Sequence, residues 1–285
     1  MNSILILGYG SIGRRHREVL AELYPEASID VVSAHENPRE GFYPSLGSLS
    51  DIEKYDYFII ASKTSSHAKD LSVIDKIVVG RTILVEKPLF SNVEEARDYR
   101  NQVFVGYNLR FHPILLKLKE ALLGQRILTI NVYAGQYLPT WRTGTDYRLS
   151  YSSSQALGGG VLLDLSHEID YVQWLSGELT QVKAINRTLS SLEIDSDDVM
   201  TLVGQTSCGA IATISLDYLS RKPQRRIVVQ TDSKTFFADL IEGTLGIYSD
   251  PGIAAEEMVE KCERNYTTIS VIIQPTHTNN LWLSI

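Results

Sequence analysis

Five short apolar runs punctuate the first hundred residues: Ile4 to Leu7, Ile29 to Ala34, Tyr57 to Ala61, Thr82 to Val85 and Val103 to Val105. Runs of this length bounded by polar and glycine positions predict β-strands. Amphipathic stretches lie between most of them, and Arg14 to Leu23, Ser66 to Lys76 and Asn92 to Arg100 have helical composition. The last is preceded by Ser91 or Asn92 as an N-cap and carries Glu94 and Glu95 in its first turn, where carboxylates favour the helix dipole. Strand and helix in alternation predict a doubly wound parallel sheet.

After Gly106 the rhythm changes. A helix is expected from Pro113 to Leu123, a strand from Ile127 to Gln136, a loop rich in Thr, Ser, Tyr and Gly, and one helix from Val161 to Leu175. Beyond Gln181 the pattern alternates with period two, predicting strands Val182 to Leu189, Val199 to Thr206, Ala210 to Leu219, Arg226 to Thr231 and Thr235 to Leu240. The fold class expected is therefore α/β joined to α+β: an N-terminal Rossmann domain over residues 1–107 and, over 108–285, an open, mostly antiparallel sheet with helices on one face. With no repeat or Pro-rich linker between them, the two domains are expected to pack directly and leave a cleft.

Composition narrows the function classes. The chain has 285 residues, 44% hydrophobic and 21% charged, and a formal net charge of -7, which provides no overall basic surface for nucleic acid or an anionic membrane. Cys208 and Cys262 stand far apart, without the spacing of a disulfide framework or a cysteine metal site. Neither a basic n-region at Met1 nor a run of about 20 apolar residues is present, so the expected setting is the cytoplasm, with no membrane and no nucleic acid as partner.

Gly8, Gly10 and Gly13 in GYGSIG follow the first strand immediately and open the first helix. G-x-G-x-x-G at that place suits a tight turn, close approach of a pyrophosphate and close helix packing, with free N–H groups of the helix start facing the phosphates. A purely structural turn is the alternative. Arg14 and Arg15 oppose the dipole of that helix and suit either an anionic ligand or solvent. At the end of the second strand, where an acid would hold the ribose hydroxyls of NAD, stand Ser33, Ala34 and His35, with Glu36 slightly late and Arg39 further on. The cofactor expected is NAD or NADP, with the balance toward NADP.

Glu86, Lys87 and Pro88 close the strand Thr82 to Val85, at the edge of a parallel sheet where ligands bind. A free lysine titrates near ~10.4, and burial beside a cationic nicotinamide would lower it toward a range useful for proton transfer; a surface turn is the plainer reading. In the helix from Val161, 100° per residue places Asp164, His167 and Tyr171 on one arc, so that a carboxylate can orient an imidazole. A solvated or structurally bonded histidine is the alternative, and Gly158, Gly159 and Gly160 just ahead mark a close backbone approach. No catalytic metal cluster is expected among the six scattered histidines.

GYGSIG, VEKPL and GGGVLLDLSHEIDYVQWL, with IIASKTSSH and VGYNLRFHP between them, resemble the glucose-fructose oxidoreductase and inositol dehydrogenase family, Gfo/Idh/MocA, from about Ile4 to about Leu245. The resemblance implies an NAD(P)-dependent dehydrogenase or reductase that passes a hydride between nicotinamide and a carbon of a sugar, nucleotide sugar or cyclitol, with surface-polysaccharide biosynthesis as a setting. It implies Lys87, His167 and Asp164 as catalytic residues, with His167 exchanging the proton, Asp164 its partner and Lys87 orienting substrate and cofactor. The cofactor set it implies is Gly8, Gly10, Ser11, Ile12, Gly13, Ser33, Arg39, Ser62, Thr64, His67, Glu86 and Lys87. Arg110, Trp141, Arg142, Asp146, Tyr147 and Arg148 are expected to line a substrate pocket with Lys87, Asp164 and His167. A homodimer or homotetramer through the C-terminal sheet is also implied.

Three features depart from the family pattern. Two residues, Leu165 and Ser166, separate Asp164 from His167 where three are common; Lys63 stands where proline is frequent; and the ending ERNYTTISVIIQPTHTNNLWLSI lacks the usual helix and closing strand, as in a truncated or altered C-terminus. Two further readings stay open: a redox-neutral relative that uses bound nicotinamide transiently to epimerise or cleave a sugar, and a cofactor-binding sensor without catalysis.

Overall fold

In the computed structural model, strand β1 (Ser3–Leu7) shows why the first half of the chain is doubly wound. Ile4 and Ile6 pack on one side with Leu20, Val31, Tyr57 and Ile59, whereas Leu5 and Leu7 pack on the other with Phe58, Ile60, Leu71 and Ile74. Successive side chains of a strand point to opposite faces, so an unbroken apolar run needs cover on both. The structure describes residues 2–34, 39–92, 98–142, 144–249 and the strand at 260–261. They fall into two compact units divided between Gly106 and Tyr107.

The first unit is a six-stranded parallel sheet in the order β3-β2-β1-β4-β5-β6, formed by β1, β2 (Ser28–Val32), β3 (Phe42–Tyr43), β4 (Tyr57–Ile60), β5 (Thr82–Val85) and β6 (Gln102–Val105). Helices α1 (Ser11–Leu23) and α2 (His67–Ile77) supply cover on its faces. Strand order reverses direction beside β1, which pairs with both β2 and β4. Ligands of such sheets bind outside the carboxyl ends of the strands at this switch point. The short strand β3 carries no periodic signal and was not expected. The expected helix Asn92 to Arg100 lies largely outside the described residues, since 93–97 are not among them.

In the second unit, α3 (Pro113–Ala121) starts on a proline, whose missing N–H costs nothing at a helix start, and the His112 side chain accepts from Ile114 N. An eight-stranded sheet follows in the order β14-β13-β12-β11-β7-β10-β9-β8. Its members are β7 (Ile127–Gly135), β8 (Leu179–Arg187), β9 (Val199–Thr206), β10 (Ile211–Asp217), β11 (Gln224–Thr231), β12 (Lys234–Asp239), β13 (Thr244–Ser249) and β14 (Glu260–Lys261). Ile130, Val132, Met200, Leu202, Ile214, Ile227 and Phe236 are buried on the covered face, while alternate positions such as Val203, Ile211 and Phe237 are exposed. One pair, β7 with β10, is parallel, so the sheet is mixed rather than purely antiparallel. Strands β13 and β14 extend it beyond the last strand expected; TLGIYS has a glycine at its centre and lacks clean alternation.

The single helix expected from Val161 to Leu175 is two: α4 (Val161–Asp164) and α5 (His167–Ser176). Leu165, at φ -102 and ψ 28, leaves helical geometry between them. The steady 100° step therefore does not run from Asp164 to His167, and the two do not share a face of one helix.

Two glycines with positive φ separate conformational cost from steric cost. Gly80 (φ +67) has nothing within 4 Å of where a Cβ would stand, whereas at Gly8 (φ +94) the carbonyl oxygen of Ala61 lies 2.4 Å from that point. Gly80→Ala is expected to lower stability by about 1–2 kcal/mol, the left-handed penalty alone, and Gly8→Ala by several times as much. Denaturant unfolding of the two variants side by side checks the difference; equal losses would refute it.

Candidate active site

At the carboxyl edge of the parallel sheet, the three motif glycines have three different environments. Gly8 is pressed against the end of β4. A Cβ on Gly13 would meet the Gly8 carbonyl oxygen at 2.2 Å, so this glycine lets α1 close onto the turn. Gly10 is exposed, has φ -71, and has nothing within 4 Å of its absent side chain. The fold itself gives no steric reason for glycine there; room for an incoming group does. Gly10 is the N-cap of α1, with no side-chain cap and no acid in the first turn, and Ser11 and Ile12 beside it are exposed. These residues fit the pyrophosphate of a dinucleotide.

The neighbouring strand ends carry the rest of the expected cofactor set. Ser33 follows β2 and donates its N–H to Tyr43 O; Arg39 lies over the Phe42 ring with Cζ 3.6 Å from the centroid. His35 and Glu36 lie outside the described residues. After β4, the Ser62 hydroxyl donates to Asp70 at 2.6 Å, and Thr64 is buried in the turn into α2. His67 is 1% exposed, with Nδ1 2.9 Å from Pro88 O and Nε2 3.1 Å from Ser62 O. It bridges the loops after β4 and β5. Glu86 Oε1 lies 2.6 Å from His16 Nε2, a buried side chain of α1, and Oε2 accepts the N–H of Lys87 at 3.3 Å. Gly106 leaves just enough space for this carboxylate, since a Cβ would stand 3.1 Å from it. Glu86 thus anchors the backbone that presents Lys87, and the Lys87-Pro88 peptide bond is cis.

In the second unit the triple glycine serves the chain itself. A Cβ on Gly159 would meet Tyr151 O at 2.1 Å, and one on Gly160 (φ +116) would meet Asp197 Oδ1 at the same distance. Asp197 in turn accepts the N–H of Leu162 at 2.9 Å, capping α4. Burial raises the Asp197 carboxyl above the usual range. The close backbone approach expected here is made, and its partners are Tyr151, Ser152 and Asp197.

Asp164, 6% exposed, accepts the Tyr218 hydroxyl at 2.7 Å and also faces the Tyr151 hydroxyl. Burial first, and then the charge of Asp164, push both phenols above their ordinary range, so both remain protonated donors at neutral pH. His167 opens α5, nearly buried, with its ring edge-on to Tyr107 at 5.6 Å. Two arginines hold that helix: Arg110 donates to both carboxylate oxygens of Asp170 at 2.8 and 2.6 Å, and Arg225 Nε lies 2.8 Å from Glu168, which is fully buried. Burial raises the Asp170 carboxyl above its usual range against the pull of Arg110. Tyr171, expected on the polar arc, is fully buried.

The residues expected to line a substrate pocket divide into three groups. Trp141, Arg142 and Tyr147 share a small concavity with Leu138, Thr145 and Ser150. Trp141 stands edge-on to Tyr218 at 5.2 Å, with its indole Nε1 buried and lacking a hydrogen-bond partner, and Arg142 lies over the Tyr151 ring. Asp146 and Arg148 pair with each other at the surface at 2.7 Å, and Arg148 also reaches Glu193. Arg110 is committed to Asp170, a structural use of a guanidinium that was expected to meet substrate.

Comparison with known families gives two matches: "Oxidoreductase family, NAD-binding Rossmann fold" over residues 2–102 and "GFO/IDH/MocA C-terminal domain" over residues 116–236. The chain belongs to the GFO/IDH/MocA family. It is an oxidoreductase-family chain with an NAD-binding Rossmann domain. No curated protein matches it. Among solved structures, levoglucosan dehydrogenase in complex with NADH matches at TM-score 0.75 and 20% identity over 92% of this chain and 79% of that one. The WlbA dehydrogenase of Bordetella pertussis, in complex with NADH and UDP-GlcNAcA, matches at TM-score 0.70 and 19% identity over 83% and 77%. UDP-N-acetylglucosamine 3-dehydrogenase GnnA of Acidithiobacillus ferrooxidans matches at TM-score 0.71 and 20% identity over 93% and 84%. At these identities the likeness is one of GFO/IDH/MocA fold.

Sequence reasoning missed His16, Arg225, Tyr151 and Tyr218. Arg225 had a signal: it shares the inward parity of Ile227 and Val229 on β11, where a lone arginine implies a buried acid. The tyrosines had none, because their partner is far away in sequence. Replacing Arg225 by Met takes the guanidinium from fully buried Glu168 and is expected to cost about 3–5 kcal/mol, with Arg225→Met combined with Glu168→Gln recovering most of it. Denaturant unfolding of both variants checks this; additive losses would exclude the pairing.

Proposed function

We propose that the chain is an NAD(P)-dependent dehydrogenase or reductase acting at a carbinol or carbonyl carbon of a sugar or nucleotide sugar. The first unit holds the cofactor in this reading and the second the substrate. The observation that carries it is Gly10, a motif glycine with open space around it at the start of an uncapped helix, at the switch point of the sheet. Support for the substrate class comes from the relatives, whose names give levoglucosan, UDP-GlcNAcA and UDP-N-acetylglucosamine as what they bind or act on.

When bound, the nicotinamide supplies the hydride acceptor or donor. The chain then has to hold the reacting carbon in place and move one proton to or from its oxygen. His167 carries that proton in this reading, since imidazole exchanges protons near neutral pH, and Arg225 and Arg110 fix the helix that presents it. Lys87 orients substrate and cofactor from the end of β5, where Glu86 and His16 hold its backbone. Asp164 is locked by the Tyr218 hydroxyl and stabilises the site around His167.

Gly10→Ala is expected to leave stability within about 0.5 kcal/mol and to weaken dinucleotide binding by about tenfold or more. Thermal melting and nicotinamide fluorescence titration read the two effects separately; binding as tight as in the parent chain would remove the reading of the glycine turn. Lys87→Ala and His167→Ala are expected to retain cofactor binding and lose roughly a hundredfold or more in turnover. The assay follows nicotinamide absorbance with a panel of nucleotide sugars and free sugars. Undiminished turnover in both variants rules out their roles, and product formation without net change in nicotinamide absorbance points to redox-neutral chemistry.

A further inference from the structure

The backbone of α5 fixes where the His167 side chain begins but not the plane of its ring. Rotation about the bond to an imidazole has a broad, roughly twofold profile, so one orientation is selected only by what the ring touches. A group that carries a proton to one substrate oxygen must keep the same nitrogen aimed at it. The break at Leu165 leaves Asp164 on α4, outside the helix that carries His167, and its carboxylate takes the Tyr218 hydroxyl. The side chain whose ring meets the His167 ring is Tyr107.

Tyr107 opens the second unit and is the N-cap of the short helical turn Asn108–Phe111. Its ring stands at 79° to the His167 plane, with centroids 5.6 Å apart. Its carbonyl oxygen accepts the N–H of Arg110 at 3.3 Å, and Arg110 holds both carboxylate oxygens of Asp170. The Tyr107 hydroxyl faces Ser166, the residue just ahead of His167 at the start of α5. The stretch from Tyr107 to Arg110 therefore reaches Ser166, His167 and Asp170, all at the first turn of α5. Burial, and then the charge of Asp170, push the phenol above its ordinary range, so it stays protonated and sets no second charge beside the imidazole. An edge-on aromatic contact biases a choice between two ring orientations by a few-fold to about tenfold.

We propose that Tyr107 is a positioning residue for His167, its ring selecting one orientation of the imidazole. This role rests on the reading of His167 as the proton carrier. The ring supplies the effect, so phenylalanine at this position serves and an aliphatic side chain does not.

Two measurements on the full chain test it. The first is NMR of the histidine ring protons, with His167 assigned by its absence from His167→Ala, and it needs no substrate. The ring current of Tyr107 displaces the His167 resonances; Tyr107→Phe is expected to keep that displacement and Tyr107→Leu to move them toward free imidazole. The second follows nicotinamide absorbance with the sugar panel described above. Tyr107→Leu is expected to lose about tenfold in kcat with KM and cofactor binding within about twofold, and Tyr107→Phe to restore kcat. In a His167→Ala background, Tyr107→Leu is expected to cost less than about twofold more, because the group it acts through is already gone. A residue that served folding alone would lower the unfolding midpoint without this split between kcat and KM. Tyr107→Met, which fills similar space without a ring, is measured alongside so that an unfolded leucine variant does not decide the matter. Unmoved His167 resonances in the aliphatic variants, or a full further loss in the double variant, overturns the positioning role and leaves His167 as the proton carrier. Undiminished turnover in His167→Ala overturns both.

Discussion

The Ala61 carbonyl oxygen occupies the space a side chain at Gly8 would need, and the whole carboxyl edge of the parallel sheet is arranged around that contact. Because the turn after β1 lies directly on the end of β4, Gly13 can bring α1 down onto Gly8, and α1 in turn delivers His16 to the end of β5. Backbone contact of this kind is possible only without a β-carbon, and at φ +94 only glycine adopts the conformation cheaply. One constraint thus places three strand ends, β1, β4 and β5, in a fixed relation. The groups proposed to hold the dinucleotide and Lys87 stand on those ends.

Buried charge does the corresponding work elsewhere. Glu168 with Arg225 and Asp170 with Arg110, and the hydrogen bond between Glu86 and His16, each tie a residue beside a proposed catalytic group to a distant segment. A buried ion pair adds little net stability, since desolvation offsets its attraction, but it tolerates few alternative arrangements. Such pairs suit a backbone that must present Lys87 or His167 in one orientation. Asp164 has neutral partners besides: phenols that burial keeps protonated face it, and the Tyr218 hydroxyl donates to it.

Local signals accounted for most of the elements and for the glycine turn. Period-two alternation on β9 and β11 and apolar runs on β1 and β5 follow from which faces a strand must bury, so they are visible in any window of the chain. The failures were also local. A helix continuing from Val161 through Leu175 is what propensity favours, and the break at Leu165 has no marker in composition. The weak strands β3 and β13 exist because a neighbouring strand offers them hydrogen bonds.

By itself, then, the order of residues determined the two sheet types, the place of the dinucleotide turn and the segments bearing Lys87, Asp164 and His167, because periodicity and glycine conformation act over a few residues. Tertiary structure alone decided what each polar side chain answers to. Arg110 went to Asp170, Glu86 to His16 and Asp164 to Tyr218, while Arg14, Arg17 and Arg39 met around Tyr9 and Phe42. The physical reason is range: a hydrogen bond or ion pair depends on a separation of a few ångströms in space, and partners tens of residues apart leave no local trace of it.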